Sequence, residues 1–166
     1  MYLGVDVGKQ GGFVLITDDG RPYLTWEMPL IANEPSAQAI ANLYHEIREI
    51  CGDKKPFVAI EKIFTKPTDG RVGQMNYAQG AGRLEMCAIF GWPMLLVHPL
   101  SWTKEMHRGL SKEISAKERS MKVFSTLYPE MYRKGSMFWQ HEKRAKPHDG
   151  LIDALLIAEY ARRLHK

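Results

Sequence analysis

The sequence has only two cysteines, Cys51 and Cys87, which stand far apart and have no partners at metal-ligand spacing. A disulfide framework and a cysteine-ligated zinc site are therefore excluded. No run of about 18 apolar residues is present, and the N-terminus lacks the charged start and small-residue cleavage site of a signal peptide. We therefore expect a protein that is neither membrane-bound nor secreted.

What is present is the composition of an ordinary globular protein. Of the 166 residues, 45% are hydrophobic and 25% are charged, which argues against wholesale disorder. No internal repeat, low-complexity tract or long linker interrupts the sequence. A chain of this length is long enough for one domain with a full core, so we expect residues 1–166 to form a single domain.

The two parts of the chain differ in charge. Residues 1–100 carry 9 basic and 11 acidic side chains, a net charge of −2, whereas residues 101–166 carry 14 and 8, a net charge of +6. Aromatic residues such as Trp102, Tyr132 and Trp139 lie within or beside the basic part. Basic side chains near aromatic rings are typical of surfaces that bind nucleic acid, although a solvated basic surface over an aromatic core has the same composition.

Hydrophobic periodicity predicts the order of the elements. Strands are predicted at 2–8, 12–17, 23–28, 57–61 and 94–98, and helices at 36–51, 73–90, 115–128 and from about 147 to the end. Tight turns join the first three strands, whereas helices link the last two. This order predicts an α/β fold with a five-stranded mixed sheet, three antiparallel strands followed by two helix-linked strands, and helices on both faces.

Four acidic residues stand where burial makes a charge costly. Asp6 lies within the apolar first strand, and Glu61 ends the strand that contains Ile60. Asp149 and Asp153 lie four residues apart at the start of the last helix, so their carboxylates project from one face. Each acid alone has a structural explanation, such as a turn hydrogen bond, an arginine partner or a favourable helix dipole. The four together favour a divalent cation, since Mg²⁺ prefers oxygen ligands.

Three segments of the sequence resemble a known family. YLGVDVGKQGGFVLI, FVAIE and HDGLIDALLIAEY are similar to the three active-site segments of RuvC-type Holliday junction resolvases, within the ribonuclease H-like superfamily. VHPLSWTKEM resembles the phage and organellar branch, in which a Pro and a Trp-x-Lys follow the fifth strand. The resemblance spans nearly the whole chain and implies a single ribonuclease H-like nuclease domain.

The resemblance assigns the acids position by position. Asp6, Glu61 and Asp153 match the family's first-strand, fourth-strand and last-helix acids. Many bacterial resolvases have an Asp or His three residues before the last acid, where this chain has Gly150. Asp149 is then the natural replacement. The neighbouring His148 is a weaker candidate, and Lys146 is an auxiliary residue that could orient water or contact phosphate.

The implied reaction is hydrolysis of a DNA phosphodiester by a metal-activated water, with two Mg²⁺ ions per site and Mn²⁺ as their substitute. The implied substrate is branched DNA, a four-way junction cut by paired symmetric nicks, and two equivalent sites suit a homodimer. No nucleotide cofactor and no membrane is implied. The compartment would be the cytoplasm of a bacterial or phage-infected cell, or an organelle matrix.

Basic residues in three regions are candidates for DNA contacts. Lys66, Arg71 and Arg83 lie in the glycine-containing stretch 65–83, where the backbone can approach a phosphate closely. Lys104 follows the fifth strand, and Lys143 and Arg144 precede the last helix. These side chains suit contacts with the DNA backbone. His98, His107 and His141 have no partner spacing that assigns them a role.

Other functions remain open at this point. A ribonuclease H-like nuclease that acts on an RNA–DNA hybrid or on flap DNA would have the same acids. A non-catalytic DNA-binding relative would keep the fold alone, although the four acids argue against it. The sugar-kinase and actin fold also begins with D-x-G, but it needs a second lobe that 166 residues do not supply.

Overall fold

The structure, a computed structural model, describes residues 1–62, 82, 84, 85, 90–139 and 145–165. Its strands are β1 (Tyr2–Asp6), β2 (Gly12–Ile16), β3 (Pro22–Glu27), β4 (Leu30–Ile31), β5 (Glu34–Pro35), β6 (Phe57–Glu61) and β7 (Met94–Val97). Its helices are α1 (Ala37–Cys51), α2 (Pro99–Met106), α3 (Ala116–Leu127) and α4 (Asp149–Leu164), and a 3₁₀ turn, Pro129–Met131, follows α3.

Five strands form one mixed sheet in the order β3-β2-β1-β6-β7. The pairs β1–β2 and β2–β3 are antiparallel, whereas β1–β6 and β6–β7 are parallel. The predicted α/β fold class, with a five-stranded mixed sheet that begins with three antiparallel strands, is therefore confirmed; the connection from β6 to β7 lies largely outside the described residues. Because β1 and β6 are parallel neighbours, their carboxyl ends lie at the same edge of the sheet.

The core divides into two layers because the central strands are buried on both faces. In β2, Val14 and Ile16 pack with α2, α3 and α4 on one face. Phe13 and Leu15 alternate with them and pack against α1 on the other face. All four side chains are fully buried, and each contributes about 1.5–3 kcal/mol by burial. The alternation explains why helices are required on both faces of the sheet.

Helix caps fix where the elements begin. The Ser36 hydroxyl accepts from the Ala39 N–H at the start of α1. At the start of α3, Ser115 and Glu118 form a reciprocal capping box. At the start of α4, His148 is the N-cap, and Leu151 and Leu155 have no exposed surface.

Two short elements were missed by the sequence analysis. Helix α2 follows β7 directly and begins at Pro99, with His98 as its N-cap. The hairpin β4–β5 turns at Ala32 and Asn33, both of which have positive φ, as the favoured two-residue hairpin turn requires. Most of the predicted helix 73–90 lies outside the described residues. Within the described part, no helix is long and apolar enough to cross a membrane.

Helix α4 lies directly on the backbone of β1. A Cβ added to Gly4 would stand 2.0 Å from the carbonyl oxygen of Ala154 and 2.6 Å from the amide nitrogen of Ala158. Only glycine in the strand, facing alanines in the helix, allows this approach. The contact sets the position of the helix that carries Asp149 and Asp153 relative to the strand that carries Asp6.

Candidate active site

The ends of β1 and β6 place two carboxylates side by side. Val5 and Ile60 are register partners in the parallel pair, so Asp6 and Glu61 follow them at the same edge. Burial raises the pKa of Asp6, opposed by the Gly8 N–H that donates to its Oδ1 at 3.0 Å and by the charge of Lys117. Burial also raises the pKa of Glu61, and the charge of Asp6 raises it further. The two carboxylates therefore repel each other in a site that has lost much of its water.

The first two turns of α4 bring the other two acids to this edge. Burial raises the pKa of Asp153 to about 7, and the negative charges of Asp6, Glu61 and Asp149 act in the same direction, while the Ser120 hydroxyl opposes them. The Oδ1 atom of Asp153 is buried and has no hydrogen-bond partner among the described residues. The four predicted acids thus interact electrostatically, with an unsatisfied carboxylate oxygen among them.

Two lysines neutralise the outermost acid. Burial alone would raise the pKa of Asp149, but Lys146 and Lys117 outweigh it and lower the pKa. The Lys146 Nζ lies 3.1 Å and 2.9 Å from the two carboxylate oxygens, and the Lys117 Nζ lies 3.3 Å from Oδ2. A cleft of about 530 Å³ beside Asp149 is also lined by Lys9 and Lys146. Asp149 therefore remains ionised next to an open cleft that Lys9, Lys146 and Glu27 also line.

His148 and Gly150 flank Asp149 and differ from it in their surroundings. His148 is the buried N-cap of α4: its Nδ1 accepts from the Leu151 N–H at 3.3 Å, and its Nε2 lies 3.7 Å from Glu27 Oε1. A Cβ on Gly150 would stand 2.0 Å from the backbone oxygen of Gln10. The close approach of α4 to the β1–β2 turn thus explains why a glycine occupies this position.

The donor chemistry of the site fits a hard divalent cation. In the described part of the chain, no three His, Cys, Asp or Glu side chains are already gathered into a metal-binding group. The four acids nevertheless supply only oxygen donors, as Mg²⁺ prefers. The partnerless Asp153 Oδ1 and the mutual repulsion of the acids are features that a bound cation would relieve. The residues that would hold it are Asp6, Glu61, Asp149 and Asp153.

The sequence analysis missed three side chains that support these acids, namely Trp102, Lys117 and Ser120. Lys117 lies in the basic part of the chain without an assigned role, and the other two lie beside acids more than 30 residues away in the chain. A polar Ser120 one turn before the buried Phe124 was the available signal. Of the predicted DNA contacts, Lys104 is exposed on α2. The others lie outside the described residues, namely Lys66, Arg71, Arg83, Lys143 and Arg144.

Trp102 is the hydrogen-bond donor to Glu61. Its indole Nε1 donates to Glu61 Oε1 at 2.9 Å, and the ring is buried in the core. Loss of such a supporting bond typically weakens metal binding about 10–100-fold. We expect Trp102→Phe, which keeps a ring but removes the N–H, to weaken Mn²⁺ binding at least about ten-fold in isothermal titration calorimetry.

Trp139 offers the matched control for this change. It is also buried, and its Nε1 has no hydrogen-bond partner among the described residues. Trp139→Phe therefore makes the same chemical change without removing a bond to an acid. Equal Mn²⁺ affinities of the Trp102→Phe variant and the wild-type protein would show that the indole bond does not orient Glu61 for a cation.

Comparisons with known proteins bear on the fold. No protein-family model matches the sequence, and no curated protein matches it significantly. Among solved structures, Thermus thermophilus RuvC in complex with a Holliday junction substrate superposes with a TM-score of 0.59 at 16% identity, covering 99% of this chain and 94% of that one. Another Thermus thermophilus RuvC structure gives 0.57 at 17% identity, covering 99% and 96%.

A third solved structure comes from a eukaryotic organelle. The yeast mitochondrial Holliday junction resolvase Ydc2 superposes with a TM-score of 0.55 at 13% identity, covering 98% of this chain and 77% of that one. These matches extend over almost all of the chain, as the sequence resemblance predicts. The chain therefore has the same fold as these RuvC and Ydc2 structures.

Proposed function

We propose that this protein is a Mg²⁺-dependent, structure-selective DNA endonuclease that resolves four-way junctions. The observation that carries the proposal is the electrostatic interaction of four acids at one edge of the sheet, together with the buried, partnerless Oδ1 of Asp153, on a fold shared with Holliday junction resolvases. A charged group of this kind is costly unless a cation compensates it. The free energy that this buried carboxylate costs the fold supports a functional reason for its presence.

The residues of this chain suit distinct roles in phosphodiester hydrolysis. Asp6, Glu61, Asp149 and Asp153 would hold two Mg²⁺ ions, which when bound supply an activated water and stabilise the leaving oxygen. Lys117 and Lys146 keep Asp149 ionised through their bonds to it. Both ammonium groups also lie at the open side of the site, where they suit contact with the negative charge that develops on a phosphate.

The substrate proposal rests on charge and shape. The α2–α3 segment presents exposed basic side chains, namely Lys104, Lys112, Lys117 and Lys122, of which Lys117 contacts Asp149. Such side chains suit the phosphates of a DNA arm that enters the site. One of the similar structures is of a RuvC in complex with a Holliday junction substrate. We propose the same substrate class here, bound by a homodimer whose two-fold symmetry matches paired nicks.

The test compares end-labelled four-way junction, linear duplex and RNA–DNA hybrid of matched sequence, each with Mg²⁺ and with EDTA. We expect symmetric paired nicks on the junction alone, abolished by EDTA, with 5′-phosphate and 3′-hydroxyl ends. Cleavage of the hybrid instead would reassign the protein as a ribonuclease H. Binding of the junction without cleavage in any metal would reduce the four acids to structural roles.

The same preparation tests the dimer. Sedimentation of the protein with a junction should give two protein chains per DNA molecule. A protein that stays monomeric on the junction would contradict the homodimer. It would also remove the basis for expecting simultaneous paired nicks.

A further inference from the structure

Side-chain hydrogen bonds join a serine beside Asp153 to a histidine and an arginine. His107, at the C-terminal end of α2, and Ser120, within α3, are both buried, and the His107 Nε2 lies 3.1 Å from the Ser120 Oγ. Ser120 and Asp153 line the same small cavity, and the Ser120 hydroxyl lowers the pKa of Asp153 against the effect of burial. On the far side, Arg119 Nε donates to His107 Nδ1 at 3.4 Å. Side chains from three helices thus meet around Ser120.

The proton positions along this chain follow from Arg119. A guanidinium has only donors, so His107 Nδ1 must accept and its Nε2 must carry the proton. That N–H then donates to the Ser120 oxygen, which leaves the hydroxyl's own proton for Asp153. Arg119 is itself held in place, since its NH1 group donates to the carbonyl oxygen of Ile114 at 2.8 Å. The direction of every bond is therefore fixed.

Ser120 differs from the other hydroxyl residues of the same helix. Ser125 and Thr126 donate back to the carbonyl oxygen of Lys122 at 3.0 Å and 2.8 Å, the usual local bond for such residues in a helix. Ser120 instead bonds His107 at the end of α2 and faces Asp153 of α4 across a shared cavity. A hydrogen-bonded polar pair buried in this way replaces apolar packing, so its presence calls for a reason beyond the stability of α3.

We propose that His107 and Ser120 are positioning residues, which hold Asp153 so that its free Oδ1 faces the cation. This inference rests on the proposed metal-dependent function of the same site. The chain restrains the Asp153 carboxyl from one side, while Oδ1 remains without a partner among the described residues. In metal sites, such supporting bonds orient the ligands, and their loss typically costs 10–100-fold in affinity.

The experiment measures Mn²⁺ binding by isothermal titration calorimetry, with the metal alone and no DNA. Ser120→Ala is expected to weaken Mn²⁺ binding about ten-fold or more, and Ser120→Thr, which keeps the hydroxyl, to restore most of it. Ser125→Ala is the matched control, because it removes a hydroxyl from the same helix that bonds only its own backbone. Junction binding in EDTA should not change in any of these variants.

A second pair of variants keeps the test decisive if Ser120→Ala does not fold. His107→Gln keeps a donor for Ser120 and an acceptor for Arg119, whereas His107→Leu removes both at similar volume. The positioning role predicts that the Gln variant binds Mn²⁺ more tightly than the Leu variant. If His107 has a purely structural role, the folded molecules of the two variants should bind Mn²⁺ with equal affinity. Equal affinities, or a Ser120→Ala variant with wild-type affinity, would overturn the proposal.

The outcomes separate this inference from the proposed function. Weaker Mn²⁺ binding by Ser120→Ala, in a protein that cleaves no junction, would support the positioning role and reject the nuclease. Mg²⁺-dependent junction cleavage together with unchanged Mn²⁺ affinity in Ser120→Ala would keep the nuclease and reject the positioning role. A wild-type protein that binds no Mn²⁺ at millimolar concentration would reject both.

Discussion

Asp153→Asn is expected to abolish junction cleavage while making the metal-free protein more stable. The amide removes a charged metal ligand, so we expect the cleavage rate to fall at least about 10³-fold, in the range seen when a key electrostatic contact is lost. Junction binding in EDTA should be retained. The same change in the exposed Asp53, Asp53→Asn, serves as the control and should leave cleavage unaffected.

The gain in stability follows from the raised pKa of Asp153. Burial, with the neighbouring acids, raises this pKa from 3.8 to about 7, so the folded protein binds a proton more tightly than the unfolded chain does. The stabilisation of the folded state that this bound proton supplies is fully present below pH 3.8 and is lost as the pH rises through about 7. At pH 8 the folded protein therefore carries the full cost of the ionised group.

The measurement is urea unfolding in EDTA. Each pKa unit is worth about 1.4 kcal/mol, and the buried amide has its own cost, so we expect Asp153→Asn to raise the free energy of unfolding by about 1–2 kcal/mol at pH 8. The difference should shrink as the pH falls towards 4. A variant that cleaves at nearly the wild-type rate would refute the metal assignment. A variant that is less stable than the wild type at pH 8 would refute only the explanation that the ionised Asp153 destabilises the fold.

Gly150→Asp is expected to damage both the fold and the site, although it places an acid where many bacterial resolvases have one. Any Cβ at this position would meet the backbone of Gln10 at 2.0 Å and that of Gly11 at 2.6 Å. Because these are backbone atoms, no side-chain rotation relieves the contact. The first turn of α4 would have to move away from the β1–β2 turn, and Asp149 and Asp153 would move with it.

We expect Gly150→Ala and Gly150→Asp to lower the free energy of unfolding by about 3 kcal/mol, as measured in urea at pH 7. Gly82→Ala is the matched control, since a Cβ there meets nothing within 4 Å in the described structure. It should change stability by less than about 1 kcal/mol. A stable Gly150→Asp protein that binds Mn²⁺ more tightly than the wild type would show that Gly150 occupies a ligand position.

The sequence predicted the parts of the fold that repeat a simple pattern. Period-two and period-3.6 spacing identified the five sheet strands and the three long helices of the described chain, because both layers of the core select apolar residues regularly. Helix α2 was missed, since eight residues give too short a pattern for periodicity. The turn of β4–β5 was missed because Ala32 seldom adopts positive φ.

The grouping of the four acids could be anticipated from the sequence because Asp6, Glu61 and Asp149 stand at the ends of elements and Asp153 lies one turn beyond Asp149. Lys117, Trp102 and the pair His107–Ser120 could not be anticipated, because their partners are distant in the chain and no spacing rule connects them. The α2–α3 segment that carries them lies near the acids because it packs against α4. Their contacts depend on tertiary packing, which local patterns do not encode.

The contact of Gly4 with Ala154 and Ala158 also has an evolutionary consequence. The distance between Asp6 on β1 and the acids of α4 is set by two backbones in van der Waals contact. No side-chain movement can therefore compensate for a change in this contact. An enlarged residue at any of these positions would alter the chemistry and the hydrophobic packing at once. Selection for folding and selection for the spacing of the acids therefore act on the same three small residues.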